Sequence, residues 1–189
     1  TQNTISGYVI GDEYTASSKD IEAAKKQAED IMKSLTVENF AEKAKQFSKD
    51  PGSAQNGGSL GGEIDLTQLV PEFAKAEKGK IVGPVKTQFG YHIIYVQDKN
   101  TNNANLAKVS HILIMPTISQ ETKDALVKRL NDVKAELDSK KVTWEQVESQ
   151  GKYNFSVKEK FKTLAKNDSI PGIGKNDPAL MDKLFGSKT

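Results

Sequence analysis

Residues 47–61 read Phe47-Ser48-Lys49-Asp50-Pro51-Gly52-Ser53-Ala54-Gln55-Asn56-Gly57-Gly58-Ser59-Leu60-Gly61. After them come Leu69-Val70-Pro71-Glu72-Phe73 and then Gly83-Pro84-Val85-Lys86-Thr87-Gln88-Phe89-Gly90-Tyr91-His92-Ile93-Ile94. The first segment, rich in glycine and carrying Pro51 and Asn56, predicts a surface loop with one helical turn. In the second, Leu69 and Phe73 stand four apart, on one face of a short helix over 66–76. In the third, 83–87 and 90–97 flank a short turn and predict a hairpin, with Ile93-Ile94-Tyr95-Val96 its most buried part.

Upstream, 4–10 are β-branched and aromatic enough for a strand. Ser17 with Asp20 predicts a helix N-cap. Ile21, Ala24, Ala28, Ile31, Met32 and Leu35 then form one apolar stripe. Thr36 is placed to cap a second helix whose buried face is Phe40, Ala44 and Phe47. Downstream, 99–107 are polar and asparagine-rich and read as a linker. After them the pattern restarts: Ser6-Gly7-Tyr8-Val9-Ile10 aligns without gaps with Ser110-His111-Ile112-Leu113-Ile114. Leu126, Leu130, Val133 and Leu137 form the matching stripe, and Thr143-Trp144-Glu145-Gln146 is a capping box. A repeat of this period means two copies of a domain rather than a solenoid. The second copy departs after its second helix, with an alternating strand over 153–161, a loop at 170–174 and a helix over 177–185.

The 189 residues suit one large or two small domains, and 36% hydrophobic with 28% charged residues is ordinary for a globular protein. The absence of cysteine excludes disulfides, zinc–thiolate sites and thiol nucleophiles. A net charge of +2, spread along helices, reads as solvated helix faces and argues against a nucleic-acid partner. Only two histidines are present, and neither has a nucleophile-elbow motif, so neither a metal site nor a hydrolytic triad is expected. No run reaches the about 18 apolar residues of a membrane span, and no basic-then-apolar leader is visible. Membrane attachment is therefore expected only through an anchor outside this chain.

The three motifs, in this order, resemble the parvulin (rotamase) family of peptidyl-prolyl cis-trans isomerases over residues 6–98. Tandem copies resemble bacterial extracytoplasmic folding factors, the PrsA-type foldase lipoproteins and the SurA-type periplasmic chaperones. The resemblance implies an α+β fold: a four-stranded antiparallel sheet surrounded by helices over 1–98, a linker at 99–107, and a partial or degenerate second domain over 108–189. It implies prolyl isomerisation of exported or unfolded, proline-containing polypeptides, without cofactor or metal, at an extracytoplasmic (periplasmic or cell-surface) location.

Rotation about an X–Pro amide crosses a barrier of about 18–20 kcal/mol without making or cleaving a bond. The site therefore needs an apolar cup, polar groups suited to the twisted amide, and exclusion of water. By resemblance Leu69 and Phe73 form the proline cup, with Phe89 a third apolar candidate. Asp50 lies beside the rotating bond, His92 is one of a histidine pair under the site, and Ser48 and Gln88 contact substrate. The family's first-strand histidine aligns with Gly7, which implies a slower catalyst, while the second copy keeps His111 without the partner that matches His92. The family's phosphate-reading basic loop falls at 11–18, where there is no lysine or arginine, so unphosphorylated substrates are expected. Structural readings stand beside these: Leu69 and Phe73 as core, His92 as a satisfied core histidine, Asp50 as a turn former. A non-catalytic chaperone module that binds extended chains is the alternative function.

Overall fold

The computed structural model describes residues 3–186, and they divide into two compact units. One unit is Ala16–Ser119; the other joins the residues up to Thr15 with those from Gln120 onward.

In the Ala16–Ser119 unit, α1 (Ser18–Ser34) opens on a capping box in which Ser17 and Asp20 bond reciprocally, as the sequence predicts. A turn in which Thr36 and Asn39 exchange side-chain-to-backbone hydrogen bonds leads into α2 (Phe40–Phe47). The glycine-rich loop follows, with one 3-10 turn at Ala54–Asn56, then the short strand β2 (Ile64–Asp65). The helix expected over 66–76 is divided. α3 (Leu66–Leu69) stops before Pro71, because a residue preceding proline is pushed out of the helical region, and a 3-10 turn at Pro71–Lys75 continues. β3 (Ile81–Thr87) and β4 (Gly90–Lys99) form the expected hairpin.

The next strand, β5 (Leu106–Ile114), overturns the expected boundaries. It pairs antiparallel with β4 from Tyr91↔Ile114 to Lys99↔Ala107, and the sheet runs β2-β5-β4-β3. Residues 99–107 are therefore not a linker between domains but the turn between two paired strands. The asparagines build that turn: the Asn100 side chain accepts from Asn102 and Asn103 N–H, and that of Asn103 from Asn105 N–H. The sheet is buried on both faces. Tyr91, Ile93, Ile112 and Ile114 meet Ala24, Ala28, Ile31, Phe40 and Ala44 of the helices. Ile94, Val96, Ala107 and Val109 meet Leu66, Val70 and Phe73 on the other side.

The other unit contains β1 (Thr4–Gly11), α4 (Gln120–Asp138), α5 (Trp144–Ser149), β6 (Val157–Ala165) and α6 (Pro178–Gly186). β1 pairs antiparallel with β6, not with the hairpin of the Ala16–Ser119 unit. Thr143 and Gln146 form the expected capping box, and Trp144 is buried with Val133, Val147, Tyr153 and Phe155. Tyr8 stacks on Trp144 with ring centroids 4.3 Å apart. On the other face of β1, Ile5 and Val9 pack against Leu164, Ile170 and Met181.

Candidate active site

The two sheet faces decide which side chains meet. His92, Ile94 and Val96 alternate onto one face of β4, and the register Ile94↔His111 and His92↔Leu113 puts Val109 and His111 on the same face. The two histidine rings lie 5.8 Å apart at 28° to one another. His111 thus belongs to the same site as His92 and is not the relic of a second one. Gly7 does not stand in the first-strand histidine's place. It lies opposite Phe161 in the β1–β6 pair. The loop leaving the central strand is correspondingly 115–119, not 11–18, and it too has no lysine or arginine.

Asp50 reaches this face from the loop after α2. Its Oδ2 lies 2.7 Å from His111 Nε2, and the Ser53 hydroxyl donates to the same oxygen. Ser53 Oγ is also 3.0 Å from His111 Nε2. Backbone contacts hold the loop there. Lys49 N–H donates to Leu113 C=O at 2.8 Å, and the Ser48 hydroxyl accepts from Leu113 N–H at 3.1 Å. Ser48, expected to contact substrate, is thus engaged in fastening the loop to β5. Gly58 lies on the same edge, with its C=O accepting His111 N–H at 2.8 Å. Its φ is +81°, and a Cβ there would fall 2.3 Å from the His111 carbonyl oxygen, so both conformation and proximity require glycine.

His92 Nε2 lies 2.8 Å from Thr87 Oγ1, which also accepts Phe89 N–H at 3.2 Å. Neither histidine Nδ1, both buried, has a hydrogen-bond partner. The carboxylate of Asp50 can only accept, so His111 Nε2 carries a proton toward it and a neutral His111 presents a bare Nδ1. Thr87 can donate its own proton to His92 Nε2, which leaves the proton of a neutral His92 on Nδ1. This assignment pairs every Nε2 contact and gives the two Nδ1 atoms complementary roles.

Electrostatics agree with a neutral His92. Burial pushes its pKa below the ordinary 6.5, the nearby His111 pushes the same way, and Asp50 opposes them. For Asp50, burial acts to raise the pKa, but hydrogen bonds from Ser53, His111 and Gly52 N–H outweigh it and leave the carboxyl below its ordinary 3.8.

Beside the histidines lies the apolar patch. Phe73 is 2% exposed, a core position rather than the half-exposed wall of a cup. Leu69 and Leu60 are half-buried against the same cluster. Phe89 does not join them; at 56% exposure it stands on the β3–β4 turn with the exposed Gln88, lining a different cavity. Asp50, His92 and His111 thus converge, Leu69 and Phe73 belong to the apolar cluster on the same sheet face, and Phe89 and Gln88 are set to one side. Sequence reading passed over Thr87, Ser53 and Leu60. All three stand inside the quoted motifs, and only their contacts across the chain distinguish them from loop residues. Among the described residues no group of three or more His, Asp or Glu could hold a metal ion.

Comparison with known proteins agrees with the geometry. Residues 9–98 match the family model of the PPIC-type PPIase (rotamase) domain. The foldase protein PrsA of Geobacillus sp. (strain WCH70) is 49% identical over 79 residues, 39% of this chain and 28% of that protein. PrsA of Geobacillus kaustophilus is 38% identical over 126 residues, 61% of this chain and 43% of that protein. The chaperone SurA of Pseudomonas putida is 45% identical over 71 residues, 35% of this chain and 16% of that protein. The chain thus spans less than half the length of each of these relatives. The family match begins within β1, whereas the structure fills the centre of the sheet with β5. Over residues 9–98 the chain thus resembles the PPIC-type peptidyl-prolyl isomerase (rotamase) domain, and over part of its length it is similar to PrsA foldases and SurA chaperones.

Proposed function

We propose that the chain is a peptidyl-prolyl cis-trans isomerase that assists the folding of exported or unfolded polypeptides. The observation that carries this reading is the convergence of His92 and His111, from adjacent strands, with Asp50 from the loop, next to the Leu69–Phe73 patch. The proline ring rests on the apolar patch. The twisting amide loses its resonance beside polar groups already held by Thr87, Ser53 and the loop backbone, so little reorganisation is needed as the bond rotates. Each 1.36 kcal/mol by which the site favours the twisted over the planar amide gives about tenfold in rate.

The alternative, a non-catalytic module that holds extended chains, drew its support from a missing first-strand histidine. With His111 in that role that support is gone, which leaves the degenerate second copy as the alternative's remaining ground and sets the isomerase reading ahead. The names of the foldase and chaperone relatives support polypeptide clients; the extracytoplasmic location is carried by the resemblance to exported folding factors. Among the described residues no helix is long and apolar enough to cross a membrane. The unit containing β1 and α4–α6 is read as a partial, degenerate parvulin-like domain, on the gap-free alignment of 6–10 with 110–114 and the stripe Leu126, Leu130, Val133 and Leu137 that matches the stripe of α1. A protease-coupled or NMR exchange assay on Ala-X-Pro peptides tests the activity. Catalysed exchange that is lost in a His92→Ala, His111→Ala double variant is expected, whereas no catalysis with retained binding of an unfolded protein assigns the chain to the chaperone alternative.

A further inference from the structure

The β1–β6 sheet has two strands, so among the described residues each keeps one edge unpaired. The two edges differ. β6 carries Lys158, Glu159, Lys160 and Lys162, charges of the kind that keep a free edge from pairing. β1 has no charged residue and no proline. A cavity of about 720 Å³ lies against β1, with Tyr8, Ile10, Leu130, Leu137, Val142 and Trp144 as its apolar lining and no residue of β6 in its wall. It is therefore on the uncharged edge. Of the charged residues that line it, Lys134 pairs with Asp138, and Glu145 accepts hydrogen bonds from its own N–H and from Thr143. Lys140 is the remaining charge, so the space calls for apolar contact more than for a counter-ion.

The Ala16–Ser119 unit shows what fills such a space. There α1 and α2 pack on Tyr91 and Ile93 of β4 and on Ile112 and Ile114 of β5, with Tyr95 against the same cluster. β5 pairs with β2 on one edge and with β4 on the other. In the other unit β6 follows α5 as β2 follows α2, and it pairs antiparallel with β1 as β2 does with β5. Tyr8 and Ile10 pack toward α4 and α5, as Ile112 and Ile114 pack toward α1 and α2. The place of β4 holds no strand among the described residues. The cavity is the room that the side chains of such a strand would take.

We propose that the free edge of β1 is a docking site for an extended strand of another polypeptide chain, with apolar or aromatic side chains at alternate positions. The added strand runs antiparallel to β1 and continues the β1–β6 sheet. Its backbone pairs with the edge N–H and C=O groups whatever its sequence, and the cavity selects every second side chain. The isomerase reading is not needed for this, because the docking edge lies in the other unit.

A synthetic peptide with the sequence of 90–99, in which Tyr91, Ile93 and Tyr95 alternate as in β4, is the probe, titrated into the full chain. Trp144 is the only tryptophan, and its fluorescence is expected to change saturably. At saturation, hydrogen exchange of the amides in 4–11 should slow. A peptide carrying Tyr91→Ser, Ile93→Ser and Tyr95→Ser should bind at least about tenfold more weakly, having lost its apolar contacts. N-methylation of one alternate set of peptide amides should abolish binding, and of the other set leave it, as pairing through one strand edge requires. An unchanged fluorescence, unslowed exchange in 4–11, or equal affinity of the serine peptide overturns the docking site. Protection at 81–87, the outer edge of the other sheet, in place of 4–11 also overturns it. If the chain sediments as a dimer that the peptide dissolves, a second copy occupies the edge, and docking of a foreign strand is overturned.

Discussion

His111 Nε2 lies 2.7 Å from Asp50 Oδ2, a contact between residues 61 positions apart that joins the last strand of the sheet to the loop after α2. It makes His111 part of the site and Gly7 irrelevant to it. His111→Gln is expected to lower kcat/KM at least about tenfold, or 1.4 kcal/mol in transition-state stabilisation. With one hydrogen-bonded partner altered, the Asp50 carboxyl should titrate at higher pH, which a carboxyl NMR titration reads. Gly7→His should leave kcat/KM unchanged and cost only stability, because a Cβ there already comes within 3.3 Å of the Phe161 ring.

Phe73 is as buried as any core residue. Phe73→Ala should therefore cost about 3–5 kcal/mol of stability in urea denaturation, and its loss of activity will be mixed with unfolding. Phe73→Leu keeps most of the volume and should cost less than about 1.5 kcal/mol. A fall in kcat/KM in that folded variant measures the contribution to the cup; an unchanged value removes Phe73 from the site.

The domain that folds by itself is expected to be 16–119 and not 1–100. The shorter fragment lacks β5, which pairs with β4 over nearly its whole length and buries both of its faces. Cooperative thermal unfolding of 16–119, and its absence in 1–100, is the expected result by circular dichroism.

The pH dependence of stability follows from two depressed pKa values. His92 titrates below its ordinary 6.5 when folded, so the unfolded chain binds more protons once the pH falls past 6.5. Its contribution is complete above that pH and is lost as pH falls toward the folded value. Asp50, also depressed, adds a second loss beginning near its ordinary 3.8 and completed as pH falls through the folded value. Melting temperatures should decline in both windows, and His92→Gln should remove the first. Because burial holds the His92 pKa below the ordinary 6.5, its protonation is shifted to lower pH, and activity is expected to depend only weakly on pH between about 5.5 and 8. A steep midpoint in that range that His92→Gln abolishes would overturn the neutral-histidine scheme.

Gly58→Ala places a methyl group 2.3 Å from the His111 carbonyl oxygen, whereas Gly61→Ala, at a similarly positive φ, meets nothing within 4 Å. Both pay for the left-handed backbone, about 1 kcal/mol. Gly58→Ala should be the more destabilising of the two and should also reduce activity, since the displaced strand carries His111.

Local chemistry determined the elements of this protein. The Ser17 and Thr143 capping boxes, the apolar stripe of α1 and the hairpin around Gln88-Phe89 each depend on residues within a few positions of one another, and all are legible in the sequence, whereas the break of the 66–76 helix before Pro71 was passed over. Leu69, Phe73, Asp50 and His92 could be named as candidates through their motifs. Which strand occupies the centre of the sheet was not. Residues 5–10 and 109–114 are both strand-like, they align without a gap, and either could precede or follow the helices as far as periodicity can tell. The tertiary structure chose 109–114 for reasons spread over the whole fold. A central strand is buried on both faces, and Val109, Ile112, Leu113 and Ile114 supply apolar side chains to both, whereas Thr4, Ser6 and Tyr8 leave β1 exposed on alternate residues. At the aligned position His111, unlike Gly7, offers a ring nitrogen to Asp50 and Ser53, and that contact comes from residues some 60 positions away, beyond the reach of any local pattern.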